Sequence, residues 1–385
     1  MPDSSRRIAA WLLAVIAFLI AYGSLYPFSF SGTDSAALDH LRTIGFARTT
    51  RSDVASNILL YLPLGACVAW LLANRAGGLL AALAATLAGA ALSFAVEIAQ
   101  LYETRRVASL GDVLYNTIGA SAGAWIALAI AATHRRLHAS PFAGLLRNPV
   151  ATALVLSWAG YRLAPFAPVL DPDKWSGAFA PLAEPGWWAA GRIAPHALAW
   201  LVISLACACI APARPYRALA LAMAAVLAGR VLFAGLALDP AEAAGMAAAF
   251  ALAAALARLQ PERAASVLAA ALVVMIAIQG LAPFDFQVAQ DRFALVPFAE
   301  SLLQYRAASL TDIFLRCFTG GALVWLLVRG GLTVVPATAI GAGLVFTVEL
   351  LQTWLPGHTA DITDPLLTLA AGGLIAVFER GATVR

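Results

Sequence analysis

The sequence predicts an all-α fold: a polytopic transmembrane helix bundle of about 12 spans in three four-helix pseudo-repeats, with both termini cytoplasmic. Three observations predict it. First, 62% of the 385 residues are hydrophobic, only 12% are charged, and the mean hydropathy is +0.82. Soluble chains carry about twice that charge, so a water-facing surface could not be covered. Second, apolar runs of about 17–25 residues, long enough for roughly 30 Å of hydrocarbon, recur along the chain. Third, those runs lack period-2 alternation, which leaves helices as the spanning form that satisfies its own backbone.

The runs lie near 8–26, 56–74, 79–101, 112–132, 149–165, 191–211, 217–238, 241–257, 264–282, 312–328, 333–354 and 363–379. The first follows Arg6 and Arg7 but reaches Tyr22 to Pro27 without a small-x-small cleavage site, so it is read as an uncleaved helix rather than a secretion signal. With the amino terminus inside, thirteen basic residues fall in short inner segments, and of the acids only Asp3, Glu262 and Glu379 are inside. The higher inner density of Arg and Lys sets the orientation, and an even number of spans returns the carboxyl terminus to the same side. Cys67, Cys207, Cys209 and Cys317 all sit within apolar runs and read as small buried residues.

Several runs begin alike. Thr50 to Asp53, Ser109 to Asp112, Ser309 to Asp312, Asp361 to Asp364 and Asp239 to Glu242 each place a capping residue three positions before an acid. In that layout the first side chain accepts from orphan N–H groups and the acid answers the positive end of the helix dipole. Self-comparison divides the chain into units at 1–140, 141–260 and 261–385, each opening its long outer loop with a Pro-Phe pair: Pro27-Phe28, Pro165-Phe166 and Pro283-Phe284. Glu97 and Gln100 precede Asp112 as Glu349 and Gln352 precede Asp364, with fifteen residues from each Glu to its Asp. The middle unit is degenerate, with Leu227 and Arg230 where the Glu and Gln should be.

These residues carry a family resemblance. Residues 25–130, with Asp53-x-x-x-Asn57, Pro63-x-Gly65, Glu97-x-x-Gln100, Arg105 or Arg106, and Asp112-x-x-x-Asn116-x-x-Gly119, resemble the VanZ-like family of bacterial membrane proteins. Residues 281–378 resemble it more faintly, because Arg316 replaces the first Asn and Thr368 the second. The founding member of that family is associated with resistance to the lipoglycopeptide teicoplanin. The resemblance therefore implies a multi-pass protein of the bacterial cell (inner) membrane, tied to the envelope or to antibiotic response, and it supplies no reaction.

Helical spacing places Glu97 and Gln100 on one face at the outer end of their span, where a carboxylate meets the negative end of the dipole and needs a partner. The expected binding cleft comprises Asp53, Asn57, Glu97, Gln100, Arg105, Arg106, Asp112 and Asn116, open to the outer face. A second one comprises Asp312, Arg316, Glu349, Gln352, His358 and Asp364. In the middle unit Arg192, His196 and Arg230 are expected as counter-charges facing the acids of the other two units. Each has a plainer reading. A helix entering from water needs a cap, which alone contributes roughly 0.5–1 kcal/mol. The glutamates could be ion pairs that fix a turn, the asparagines interhelical glue, and Arg192 and Arg230 snorkelling side chains. Gly119 to Gly123 reads as a small-x-x-x-small packing seam, and Trp175, Trp187 and Trp188 as an interfacial belt or a carbohydrate- or lipid-facing platform.

Three function classes follow. The first is a protein whose outer cleft binds an envelope lipid, a glycoconjugate or a lipoglycopeptide antibiotic, with membrane lipids as partners. The second is a transporter or lipid flippase, and the third an intramembrane enzyme on a lipid-linked substrate, using acids such as Glu97 and Asp112. No metal or cofactor is expected, since there is no zinc-binding His pair and no phosphate-cradling Gly loop. Nucleic acid is not expected either, because basic residues are scattered singly or in pairs. No catalytic residue and no protein partner can be named from the sequence.

Overall fold

A computed structural model describes residues 3–30, 51–103, 108–138, 143–183, 190–287, 293–298 and 308–383. The described residues form helices joined by turns and isolated β-bridges, with no sheet. The first compact body holds α1 (Asp3–Leu25), α2 (Arg51–Ala76), α3 (Gly78–Gln100) and α4 (Leu110–His138). The second holds α5 (Ala143–Arg147), α6 (Pro149–Leu163), α7 (Pro172–Gly177), α8 (Ala190–Ile210), α9 (Pro215–Leu232) and α10 (Pro240–Leu256). It also holds α11 (Pro261–Leu281), α12 (Ala308–Arg329), α13 (Val334–Gln352) and α14 (Thr363–Thr383).

A helix occupies each of the twelve apolar runs. Eight are long and apolar enough to cross a bilayer: α2, α3, α4, α8, α9, α11, α12 and α13. Leu12–Leu25, Pro240–Leu256 and Thr363–Phe378 are shorter apolar helices, and α6 has 15 residues. Starts are written locally: α6, α9, α10 and α11 each have proline in the first turn, where the missing N–H is not needed. The chain turns from α2 into α3 through Gly77, whose φ of 81° suits glycine.

In the first body α2 and α4 approach backbone to backbone. A Cβ on Gly119 would lie 2.2 Å from the Ile58 carbonyl oxygen, and one on Gly123 1.9 Å from that of Leu62. From the other side, a Cβ on Gly65 would lie 1.8 Å from the Ala120 carbonyl oxygen. The expected small-residue seam is therefore a packing surface, with Ile20, Tyr61, Leu64 and Ala120 buried around it. The second body has one continuous core drawn from the middle and last thirds, including Leu154, Trp158, Trp200, Ile203, Leu268, Phe318 and Leu323. Trp158 anchors it, with ring centroids 5.0 Å from Phe318 and 6.1 Å from Trp200.

One turn occurs three times. After α1, α6 and α11, the residues Phe28, Phe166 and Phe284 have φ of 62°, 57° and 65°, each following a cis X-Pro bond. Their amides donate to the carbonyls of Leu25, Leu163 and Leu281 at 2.8, 3.0 and 2.7 Å.

Candidate functional site

The helix starts use their capping residues as the sequence predicts. Ser109 Oγ accepts from the Gly111 amide at 3.1 Å, Asp239 from Ala241 at 3.0 Å and Asp361 from Thr363 at 2.6 Å. Thr50 and the Ser309 side chain lie outside the described residues. In a capping box the acid three positions on would turn back to the cap's own N–H. Here a glutamate from the preceding helix does so: Glu97 Oε2 accepts from the Ser109 amide at 2.7 Å, and Glu349 Oε2 from the Asp361 amide at 2.9 Å. That releases Asp112 and Asp364 for partners on another helix.

In the first body Asn57 donates from Nδ2 to Asp112 Oδ1 at 2.8 Å, and Asn116 donates to Ser93 Oγ at 2.9 Å. Gln100 donates to the Ser24 carbonyl at 2.8 Å, tying the end of α3 to the end of α1. Asp53 lies exposed in the first turn of α2. Arg105 and Arg106 lie outside the described residues. The polar groups therefore form successive pairs along the α2–α3–α4 junction. Ser93 and buried Glu103, which accepts from the Ser29 amide at 3.1 Å, belong to this set and were not expected from sequence.

In the last third all six expected residues come together. Asp312, Arg316, Glu349, Gln352, His358 and Asp364 line one cavity of about 430 Å³ between α11, α12, α13 and α14. Arg316 Nη1 donates to Asp364 Oδ1 and lies 3.7 Å from Asp361 Oδ1. Gln352 donates to the Gly280 carbonyl at 3.0 Å, and His358 Nε2 lies 2.8 Å from the Ala282 carbonyl oxygen and donates to it.

The middle third departs from expectation. Arg192 and Arg230 do act as counter-charges, but to acids of their own third, and the His196 imidazole lies beside one of the same acids. Arg192 lies 3.9 Å and His196 3.4 Å from Asp239, and Arg230 lies 3.5 Å from Glu242. Sequence reading missed the strongest member, Arg162, which bonds both carboxylate oxygens of Glu242 at 2.7 and 2.6 Å. Both side chains are buried, and the guanidinium sits 5.1 Å from the Tyr161 ring centroid. The available signal was register: Arg162 stands three residues before Pro165, as Ser24 stands before Pro27 and Gly280 before Pro283. Beyond the helices, Lys174 donates to the Arg230 and Val231 carbonyls at the end of α9. Its ammonium is held below the usual lysine range by burial and then by Arg230. Trp187 and Trp188 lie outside the described residues, while Trp175 Nε1 donates to the Val169 carbonyl at 2.9 Å.

No group of three or more His, Cys, Asp or Glu side chains suited to a metal ion occurs among the described residues. An array of buried carboxylates, amides and arginines at the ends of apolar, membrane-length helices defines a polytopic integral membrane protein. Within that class, residues 10–131 match the family model described as VanZ/LLP1, about a third of the chain. No curated protein and no solved structure matches the chain.

Proposed function

We propose that this protein sits in the bacterial inner membrane with both termini cytoplasmic and uses a polar cleft at the extracytoplasmic face to bind an envelope lipid, glycoconjugate or lipoglycopeptide. The observation that carries the reading is the cavity of about 430 Å³ lined by Arg316, Glu349, Asp364 and their neighbours. Its size falls within the range of small-molecule sites, and ionisable groups at membrane depth are costly enough to mark function. Hydrogen-bonded side-chain pairs alone would account for the first body, but they do not account for an open cavity in the second.

The reading includes a second VanZ-like copy at 281–378 and a degenerate copy between. Support comes from matched bonds. Gln100, Arg230 and Gln352 each reach the carbonyl three residues before the loop proline, at Ser24, Arg162 and Gly280. Glu97 and Glu349 each accept from an amide twelve residues on. The middle copy lost its glutamate and holds the same junction with the Arg162–Glu242 pair instead.

The test is native mass spectrometry of the purified full chain, comparing lipids retained by the natural protein and by Glu349→Gln. A defined lipid or glycolipid retained by the former and depleted in the latter is expected. Identical lipid profiles would overturn the binding reading. Substrate-driven flux into vesicles would replace it with transport, and an altered mass of the bound lipid with catalysis.

A further inference from the structure

We propose that the ligand of the second body is a zwitterionic lipid whose headgroup joins a phosphate to a primary ammonium; this rests on the binding reading above. The 430 Å³ cavity does not stand alone. A second cavity of about 300 Å³, lined by Trp158, Arg192 and His196, shares Ile276, Gln279, Leu315 and Thr319 with it. The four shared residues set the two cavities side by side within a single compact body, and we take them as two lobes of one cleft.

The lobes carry opposite charge. In the first, the carboxylates of Asp312, Glu349 and Asp364 face one guanidinium, that of Arg316. In the second, the only formally charged lining residue among the described residues is Arg192, which is 57% exposed and only loosely associated with Asp239 at 3.9 Å. Behind it the largely buried Arg162 and Arg230 face two acids, Asp239 and Glu242, so that with Arg192 three arginines stand against two carboxylates. A ligand with a single charge would fit one lobe and place like charge or nothing in the other. A phosphate at Arg192 with an ammonium at the carboxylates fits both.

Two further observations favour a lipid with polar groups near the second lobe. Trp158 is 4% exposed, lines that lobe, and among the described residues its Nε1 has no hydrogen-bond partner; His196 Nδ1, in the same lobe, has none among them either. Buried polar atoms of this kind are normally paired: Trp158 Nε1–H can only donate and suits a ligand oxygen, while His196 Nδ1 accepts from a ligand N–H or O–H when Nε2 carries the ring proton toward Asp239. The remaining walls, Leu272, Met275 and Phe318, are apolar and suit acyl or glycerol carbons.

The experiment is a native mass spectrometry titration of the full chain in detergent with dioleoyl phosphatidylethanolamine, phosphatidylglycerol, phosphatidylcholine and diacylglycerol. Phosphatidylethanolamine is expected to bind roughly tenfold more tightly than the others. Asp312→Asn, an exposed change with little bearing on folding, should remove most of that preference over phosphatidylglycerol. Arg192→Gln should weaken all three phospholipids and leave diacylglycerol unmoved. Phosphatidylglycerol binding as tightly as phosphatidylethanolamine, or a preference that survives Asp312→Asn, overturns the zwitterionic assignment while leaving lipid binding intact. Equal competition by soluble glycerophosphoethanolamine would overturn the lipid and make the free headgroup the ligand. Binding of every lipid unchanged by both Asp312→Asn and Arg316→Gln would instead remove the cleft as a site, and the broader reading with it.

Discussion

Arg162 meets Glu242 edge to edge across α6 and α10, with Nε 2.7 Å from Oε1 and Nη2 2.6 Å from Oε2, both side chains buried. A pair of this geometry has no water to fall back on. Removing one partner leaves an uncompensated charge, which costs about 3–5 kcal/mol. Arg162→Met and Glu242→Leu should each lower thermal stability sharply in detergent, measured by fluorescence-detected size exclusion after heating. The double variant should recover most of the loss, because an apolar pair of similar volume fills the same space. A double variant as weak as either single one would show that the charges themselves organise the neighbouring Asp239 and Arg230.

The α2–α4 contact depends on hydrogen atoms where other residues have carbon. Gly123→Ala sets a methyl group 1.9 Å from the Leu62 carbonyl oxygen, so the helices must part. The expected loss is about 1–3 kcal/mol, read from the unfolding midpoint in mixed micelles. Gly343→Ala is the control: nothing lies within 4 Å of its added Cβ, and no loss is expected.

Asn57 and Asp112 form a pair that permits a swap. Asn57→Asp brings two carboxylates within hydrogen-bonding reach and should destabilise the first body. Combining it with Asp112→Asn restores one amide and one carboxylate with their positions exchanged. A coupling energy of about 0.5–3 kcal/mol is expected from the double-mutant cycle; a value of zero would mean the pair is incidental.

Among the described residues Glu97 accepts a hydrogen bond from the Ser109 amide. Glu97→Ala leaves that buried amide without its acceptor, at a cost of about 1–3 kcal/mol, whereas Glu97→Gln keeps an acceptor oxygen and should cost less. Glu349 has the same bond but also lines the cavity, so Glu349→Gln should alter ligand retention more than stability. Equal effects on both readouts at both positions would erase the distinction between a structural and a ligand-facing glutamate.

Much of the site was legible in the sequence because capping and helix-face arguments are local. Ser109, Asp239 and Asp361 cap because each sits one or two residues before a helix. Gln352 and His358 line one cavity for a like reason, since both flank the turn after α13. Arg162 was illegible by that logic: within its own helix it looks like a snorkelling arginine at a membrane edge. Its partner lies eighty residues away, and only packing brings α6 against the start of α10.

The amino-acid sequence by itself determined the class, the helices and their polar starts, because hydrophobicity, proline placement and capping act over a few residues. Only the tertiary structure decided which carboxylate takes which donor. Several acids and bases sit at chemically similar helix ends, and the choice among them is made by distances of a few ångströms between segments far apart in the chain. The same is true of the two cavities: Arg316, Glu349 and Asp364 were readable one by one, but Ile276, Gln279, Leu315 and Thr319, which line both, meet only where α11 and α12 pack together.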